Sequence, residues 1–153
     1  MAGLFFYLKP AAPITVTTGA GPLTWLQLIA PSSHRVLVHE LDVSFNGITA
    51  ADPPVLLELL IQTTAGSGGT SLTPVPYDAS YDETIQSTAL HTITTTPTAG
   101  SIKWSEYVHT QTGIIRPFPK PIVVPGGTRF GLQWTTGTVT GTVKVTPCML
   151  CEE

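Results

Sequence analysis

The chain has 153 residues, enough for one domain with a single hydrophobic core, and a formal net charge of −3. Only 11% of its residues are charged, and the seven Lys and Arg residues never form a run. Because nucleic-acid binding needs clustered positive charge, this composition argues against a nucleic-acid partner. No stretch approaches the roughly 20 apolar residues of a membrane span, and residues 1–8 lack the features of a signal peptide. We therefore expect a soluble product of the cytoplasm, with no membrane partner.

Roughly one residue in six is Thr, and the chain contains 14 Gly and 14 Pro. Thr is β-branched and suits a pleated surface, whereas frequent Gly and Pro interrupt long helices. A chain with few charges and many apolar residues is typical of proteins that work in an assembly.

Alternation of apolar and polar residues predicts a series of short strands. In chain order they are residues 14–18, 23–29, 35–45, 55–62, 89–94, 102–108, 113–118, 121–124, 129–135 and 139–146. In the third, we place Leu37, His39, Leu41, Val43 and Phe45 on one face. Asn46-Gly47 follows as a turn that tolerates positive φ.

One predicted strand has a rival interpretation, and three other segments are interpreted as loops or turns. Residues 55–62 could form a helix, since Leu and Glu favour helices, but the all-β surroundings favour a strand with both faces covered. Residues 65–69 are Gly-rich and predict a flexible loop, and residues 73–83 look irregular. Residues 135–137 read as a hairpin turn between the last two strands.

Eight or more evenly spaced strands without helices predict an all-β fold, an antiparallel jelly-roll-type β-sandwich. No repeat or composition shift marks a second domain, so residues 1–153 form one sandwich domain.

Few residues in the sequence have the spacing of a redox or metal-binding site. Cys148 and Cys151 form a CxxC, but no second CxxC and no strand-to-helix turn accompany it, so we expect two reduced thiols on opposite faces of a strand. The four histidines are His34, His39, His91 and His109, and they lack metal-ligand spacing. We therefore predict no metal and no cofactor, with His39 a hydrogen-bonded histidine of the core or of an interface.

An acidic cluster, Asp78, Asp82 and Glu83, departs from the calcium-loop pattern and favours a solvated loop. Nucleophile-elbow, P-loop and HExxH motifs are absent from the sequence, so we predict no catalytic residues and no enzyme activity. Aromatic residues could stack on sugars, but core packing is the better interpretation for those within strands. The aromatic residues weighed are Trp25, Trp104, Trp134, Tyr77, Tyr81 and Tyr107.

Several strand-and-turn segments between residues 14 and 146 carry a family resemblance. They are LQLIAP (26–31), VSFNG (43–47), PVLLELLIQTTAG (54–66), ALHT (89–92), VH (108–109) and IVVPGG (122–127). Together they resemble the jelly-roll head decoration, or cement, proteins of tailed bacteriophages. The resemblance implies a homo-oligomer, often a trimer, on the capsid exterior that bridges major capsid protein subunits. It assigns no role to any single residue.

Leu4, Phe5, Phe6 and Tyr7 precede a Pro-rich stretch at residues 10–13. Residues 1–12 form either an extended arm, whose four apolar residues contact another subunit or the capsid, or an ordinary first strand. Two functional alternatives stay open beside decoration. One is a carbohydrate-binding or lectin-like virion module, and the weaker one is an enzyme on a cupin-like sandwich.

Overall fold

The computed structural model describes residues 3–17, 21–47, 53–136 and 141–153, and everything below concerns these residues. They contain strands and connecting segments only. In chain order the strands are β1 (Phe5–Leu8), β2 (Ile14–Thr17), β3 (Leu23–Ile29), β4 (Val36–Asn46), β5 (Val55–Gln62), β6 (Thr70–Leu72), β7 (Val75–Pro76), β8 (Thr88–His91), β9 (Ala99–Val108), β10 (Ile114–Val124), β11 (Arg129–Thr136) and β12 (Thr142–Glu152).

The strands form two antiparallel sheets. Sheet A has the order β10-β4-β12-β1-β7, and β2 also pairs with β12; sheet B has the order β6-β8-β3-β11-β5-β9. Apolar side chains from the inner faces of both sheets form one core. The largest of its fully buried side chains include Trp25, Trp134, Phe6 and Phe130. The predicted all-β sandwich is confirmed.

Local patterning located most strands. Residues 23–29 and 55–62 are strands with the predicted bounds, so the strand interpretation of 55–62 is correct. Both faces of β5 are covered, as expected: Leu57 and Leu59 are fully buried on one face, and Leu60 and Gln62 on the other. The predicted turn after residue 46 is supported by Gly47, whose φ is +85°.

The predicted face assignment of β4 is wrong in its first half. Val36 and Val38 are buried there, whereas Leu37 and His39 are only partly buried; beyond them, Leu41 is buried as predicted. The pairing of β4 with β12 shifts register by one residue at His39, as expected for a β-bulge, and the pairing with β10 is irregular at the same place. The extra residue reverses the alternation, which a period of two cannot anticipate.

The last two strands do not form the predicted hairpin. β11 lies in sheet B between β3 and β5, whereas β12 lies in sheet A beside β4, so the connection crosses from one sheet to the other. Residue 139, predicted to begin the last strand, lies outside the described residues. β12 extends beyond the prediction to Glu152, and residues 113–118 and 121–124 join into the single strand β10.

The segment between β5 and β9, residues 63–98, supplies the three short strands β6, β7 and β8. It also contacts the outer face of sheet B. The amide of Gly66 donates to Gln27 Oε1 (3.4 Å), and Gln27 Nε2 donates to the carbonyl of Thr64 (3.4 Å). This segment helps to explain why polar residues such as Gln27 are completely buried although they point away from the core.

Candidate docking surface on the outer face of sheet A

The first strand divides its side chains between the core and the outer surface. Phe6 and Leu8 are fully buried, whereas Phe5 and Tyr7 are partly exposed. Since side chains alternate along a strand, Phe5 and Tyr7 lie on the outer face of sheet A. Residues 5–8 are thus an ordinary strand of the sandwich, held between β12 and β7, and the extended-arm alternative does not apply to them.

The four predicted contact residues therefore have different environments. Phe6 lies in the core, and Leu4, Phe5 and Tyr7 are each partly accessible. Contact of Leu4, Phe5 and Tyr7 with another subunit stays a prediction.

Two neighbouring elements continue the apolar surface around Phe5 and Tyr7. On β12, Leu150 is the register partner of Tyr7. Beyond the short strand β7, the ring of Tyr77 lies against that of Tyr7, with centroids 5.6 Å apart. Phe5 is in turn 5.2 Å from the ring of His39. The outer face of sheet A thus carries a row of two aromatic pairs, Phe5 with His39 and Tyr7 with Tyr77, each joining residues far apart in the sequence.

A groove opens beside this row, and we call it the aromatic groove. It has a volume of about 410 Å³ and is lined by Phe5, Tyr77, Asp78, Tyr81 and Leu150. Tyr77 is 60% exposed, so its ring is available to a ligand.

Backbone hydrogen bonds hold the tyrosines of the aromatic groove over β1. The amide of Tyr77 donates to the carbonyl of Phe5 at 2.8 Å. One carboxylate oxygen of Asp78 accepts the amide of Ser80 at 2.8 Å, and the carbonyl of Asp78 accepts the amide of Tyr81 at 3.4 Å. These bonds form an Asx-type turn that sets Tyr77 and Tyr81 on either side of Asp78. The expected solvated loop is present, since Asp78, Asp82 and Glu83 are all exposed.

A second groove, here called the terminal groove, lies at the end of β12 and has a volume of about 760 Å³. Its lining includes Leu4, His34, Arg35, Glu83, Glu152 and Glu153. Glu152 accepts a hydrogen bond from Nε2 of His39 at 2.7 Å, which holds that imidazole on the outer face. The expected hydrogen bond of His39 is therefore present, at a half-buried position outside the core.

Glu153 is the residue of this region that sequence reasoning missed. Its carboxylate accepts the backbone amides of Gln86 (2.5 Å) and Ser87 (2.9 Å) and the hydroxyl of Ser87 (2.5 Å), and its side chain is only 2% exposed. Nε2 of His34 lies 3.8 Å away. Nothing in the local pattern marks this residue, because its partners belong to the distant segment before β8.

Three ionisable groups on this face have shifted pKa values. Loss of solvent contact raises the pKa of Tyr7, with smaller contributions from Tyr77, Cys148 and Glu40. The hydrogen bonds from Ser80 lower the pKa of Asp78. Burial raises the pKa of the Cys148 thiol, so this half-buried cysteine is a poor nucleophile at neutral pH.

The two cysteines lie on opposite faces of β12, as predicted. Cys148 is half-buried on the outer face, Cys151 is completely buried in the core, and both are free. Burial also raises the pKa of Cys151 far above the ordinary thiol value. A dithiol site of the CxxC type cannot form here. Cys148 and Cys151 are three residues apart on one strand, and side chains an odd number of residues apart point to opposite faces.

The structure places the four histidines in separate environments. His91 bonds the hydroxyl of Thr92 and His109 accepts the amide of Gln111, while His34 and His39 are at the terminal groove and its border. In the described ranges, no group of three or more His, Cys, Asp and Glu side chains could hold a metal ion. No helix within those ranges has the length and apolar character to cross a membrane.

Two of the three tryptophans are core residues, as predicted. Trp25 and Trp134 are each 2% exposed, with ring centroids 6.0 Å apart. Trp104 is half-buried and packs edge-on against Phe118 at 6.2 Å. Of the tyrosines weighed as sugar contacts, Tyr77 and Tyr81 line the aromatic groove, and Tyr107 lies on a different surface, on β9.

Comparison of the chain with protein families, with curated proteins and with solved structures gives no match.

Proposed function

We propose that this chain is a non-enzymatic structural protein of a virion, a decoration protein bound to the outside of a tailed-phage head. In this role it binds the major capsid protein and further copies of itself, with a trimer as the assembly that the resemblance implies. The observation that carries the proposal is the order of the strands in the two sheets, together with the resemblance described above.

The strand order supports the jelly-roll form of the sandwich. In sheet A, β1 and β2 both pair with β12, which is followed by β4 and β10; in sheet B, the order is β3, β11, β5 and β9. From β2 to β5, and again from β9 to β12, the chain changes sheet at each step. This is the nested arrangement expected of a jelly roll, with β6, β7 and β8 added by the segment between β5 and β9.

The outer face of sheet A supplies the surface for such a role. A decoration protein stabilises a capsid by adding contact area across subunit boundaries, and several copies acting together multiply weak contacts. Phe5 and Tyr7 are partly exposed apolar residues on β1, and the partly exposed Leu4 directly precedes it, so they can bury area on a partner without first becoming ordered.

Binding to assembled heads tests the proposal. Purified protein is mixed with heads formed from the major capsid protein encoded in the same genome, and the mixture is sedimented through a gradient. We expect the chain to move with the heads, and we expect Phe5→Lys to reduce its bound amount more than the control Ser71→Lys on β6. A chain that stays at the top of the gradient would contradict the proposal.

A carbohydrate-binding module is the second candidate, and the aromatic groove favours it. Jelly rolls occur in lectins as well as in capsid proteins, so the fold alone does not separate the candidates. The groove joins Tyr77 and Tyr81, whose rings could stack on a sugar, with Asp78, whose carboxylate could accept hydroxyl hydrogen bonds.

A glycan array followed by calorimetry distinguishes the two candidates. Saturable binding that is lost in Tyr77→Ala and kept in Tyr107→Ala supports the carbohydrate module, since Tyr107 is 67% exposed but lies outside the groove. Absence of binding to every glycan removes this candidate and leaves decoration unaffected.

A further inference from the structure

The edge strands of the two sheets differ in their protection against pairing. An edge strand presents unpaired backbone groups to any other strand, and proteins usually shorten such strands or interrupt them with proline. The edge strands β2, β6 and β7 have four, three and two residues. β10 has 11 residues but contains Pro117, Pro119 and Pro121, which have no N–H to donate.

The remaining edge strand, β9, is neither short nor interrupted by proline. It contains ten residues and no proline, and within the described part of the chain only β5 pairs with it. Two large apolar side chains on it are exposed, Ile102 by 54% and Tyr107 by 67%. Their register partners on β5 are Leu60 and Leu56, so both side chains belong to the outer face of sheet B.

We propose that β9 pairs in antiparallel orientation with β9 of a second copy of this chain. The two-fold axis passes at Ser105, which lies opposite the same residue of the second copy. Sheet B thereby continues from one copy into the other. The inference concerns contact between copies, and it does not rest on the proposed virion role.

A bulge in β9 makes this register self-complementary. Trp104 pairs with Leu59 and Ile102 with Leu60, so Lys103 is an extra residue in the strand. With Ser105 on the axis, Trp104 lies opposite the second copy's Glu106. Because Lys103 is extra, Ile102 then lies opposite the second copy's Tyr107. Without the bulge, Ile102 and Tyr107 would be on opposite faces and could not meet.

The side chains match in this register. Each exposed Ile102 covers the exposed Tyr107 of the other copy, and symmetry produces this contact twice. Lys103 lies beside the second copy's Glu106, so a positive and a negative side chain face each other across the interface. Glu106 is already held by a charged hydrogen bond from Arg116 of its own chain, so its carboxylate is oriented before the copies meet.

Molecular mass and paired substitutions test the contact. Sedimentation equilibrium of the purified chain should show reversible self-association with a dimer among its species. Ile102→Lys/Tyr107→Lys should weaken it by roughly tenfold or more in Kd. Ile115→Lys/Val123→Lys is the matched control, because these β10 residues are also exposed, by 69% and 45%, and should leave the dimer unchanged. Circular dichroism verifies that both variants remain folded.

A cysteine on the proposed axis provides an independent readout. Directly opposite residues of antiparallel strands have Cα atoms about 4.5–5.5 Å apart, which suits a disulfide. Ser105→Cys should therefore form a covalent dimer under mild oxidation, whereas Ser71→Cys on the β6 edge should not. A monomer at all concentrations overturns the proposal. So does a three-fold assembly in which Ser105→Cys crosslinks no better than Ser71→Cys.

These outcomes are independent of capsid binding. A chain that binds heads but shows no β9 contact leaves the proposed function standing, and the reverse result leaves the β9 contact standing.

Discussion

The side-chain amide of Gln27 donates a hydrogen bond to the amide oxygen of Gln62 across 2.6 Å, and both residues are almost completely buried. They belong to β3 and β5, which are separated by β11. Gln62 also donates to the hydroxyl of Thr24 at 2.9 Å. The bond between the two glutamines passes over Gly131 of β11, where a Cβ atom would lie 2.4 Å from the Gln62 amide. A glycine at this position thus allows polar side chains to meet across an intervening strand.

Gly131→Ala should therefore destabilise the protein. The added methyl group displaces the Gln62 amide and leaves buried polar atoms without partners, so we expect the free energy of unfolding to fall by about 2 kcal/mol. Urea denaturation measures this change. The same substitution should cost clearly less in a Gln62→Ala background, where the clash is absent, and equal costs in both backgrounds would argue against the mechanism.

Glu153→Gln should weaken the attachment of the segment before β8. The nearly buried carboxylate accepts three hydrogen bonds from Gln86 and Ser87, and an amide group cannot accept all of them with equal strength. We expect a loss of about 1–3 kcal/mol in the free energy of unfolding. Glu83→Gln is the control, because Glu83 is exposed and should change stability little. Similar effects of the two substitutions would contradict this assignment.

Alkaline pH should destabilise the fold through Cys151. Its pKa is raised in the folded state by burial, while the ordinary thiol value is 9.0. The contribution of this thiol to stability is therefore complete below pH 9 and is lost as the pH rises above it, because only the unfolded chain releases the proton readily.

Urea denaturation between pH 7 and pH 10 measures this dependence. Cys151→Ala should flatten the decline, whereas Cys148→Ala should change it less, because Cys148 is only half-buried. In the native protein a maleimide reagent should modify Cys148 well before Cys151. Fast modification of Cys151 would show that the core opens readily.

The two phenylalanines of β1 should respond differently to truncation. Phe6 is fully buried, so Phe6→Ala should lower the free energy of unfolding by about 3–5 kcal/mol. Phe5 is partly exposed on the outer face, so Phe5→Ala should cost about 1 kcal/mol. Thermal or urea unfolding compares them. Equal, small losses would indicate that residues 5–8 leave the sheet in solution, as the arm alternative required.

Strands β3 and β5 could be predicted to the residue because each is a short apolar run bounded by turn-forming Gly and Pro. The reversal at His39 could not, since an inserted residue leaves no mark on a pattern of period two. The sequence pattern also could not predict which strands pair with β11. Strands next to each other in sequence often form a hairpin. Here the two sheets pack around one core, and β12 lies in the sheet opposite that of β11.

The sequence could identify single residues of the candidate surface, but it could not predict that they lie together. Tyr77 and Tyr81 were identified as possible sugar contacts and Phe5 as a possible protein contact, but no spacing rule brings them into one groove. The role of Glu153 was missed because its hydrogen-bond partners lie in a distant segment.

The sequence by itself determined the all-β class, most strand positions, the burial of Trp25 and Trp134 and the opposite faces of the two thiols. These properties follow from alternation along a strand, which depends on adjacent residues only. The tertiary structure alone decided which strands share a sheet, where β4 changes face, and which side chains meet on the outer surfaces. Such contacts join residues far apart in the chain, and their geometry is set by the packing of both sheets around a common core.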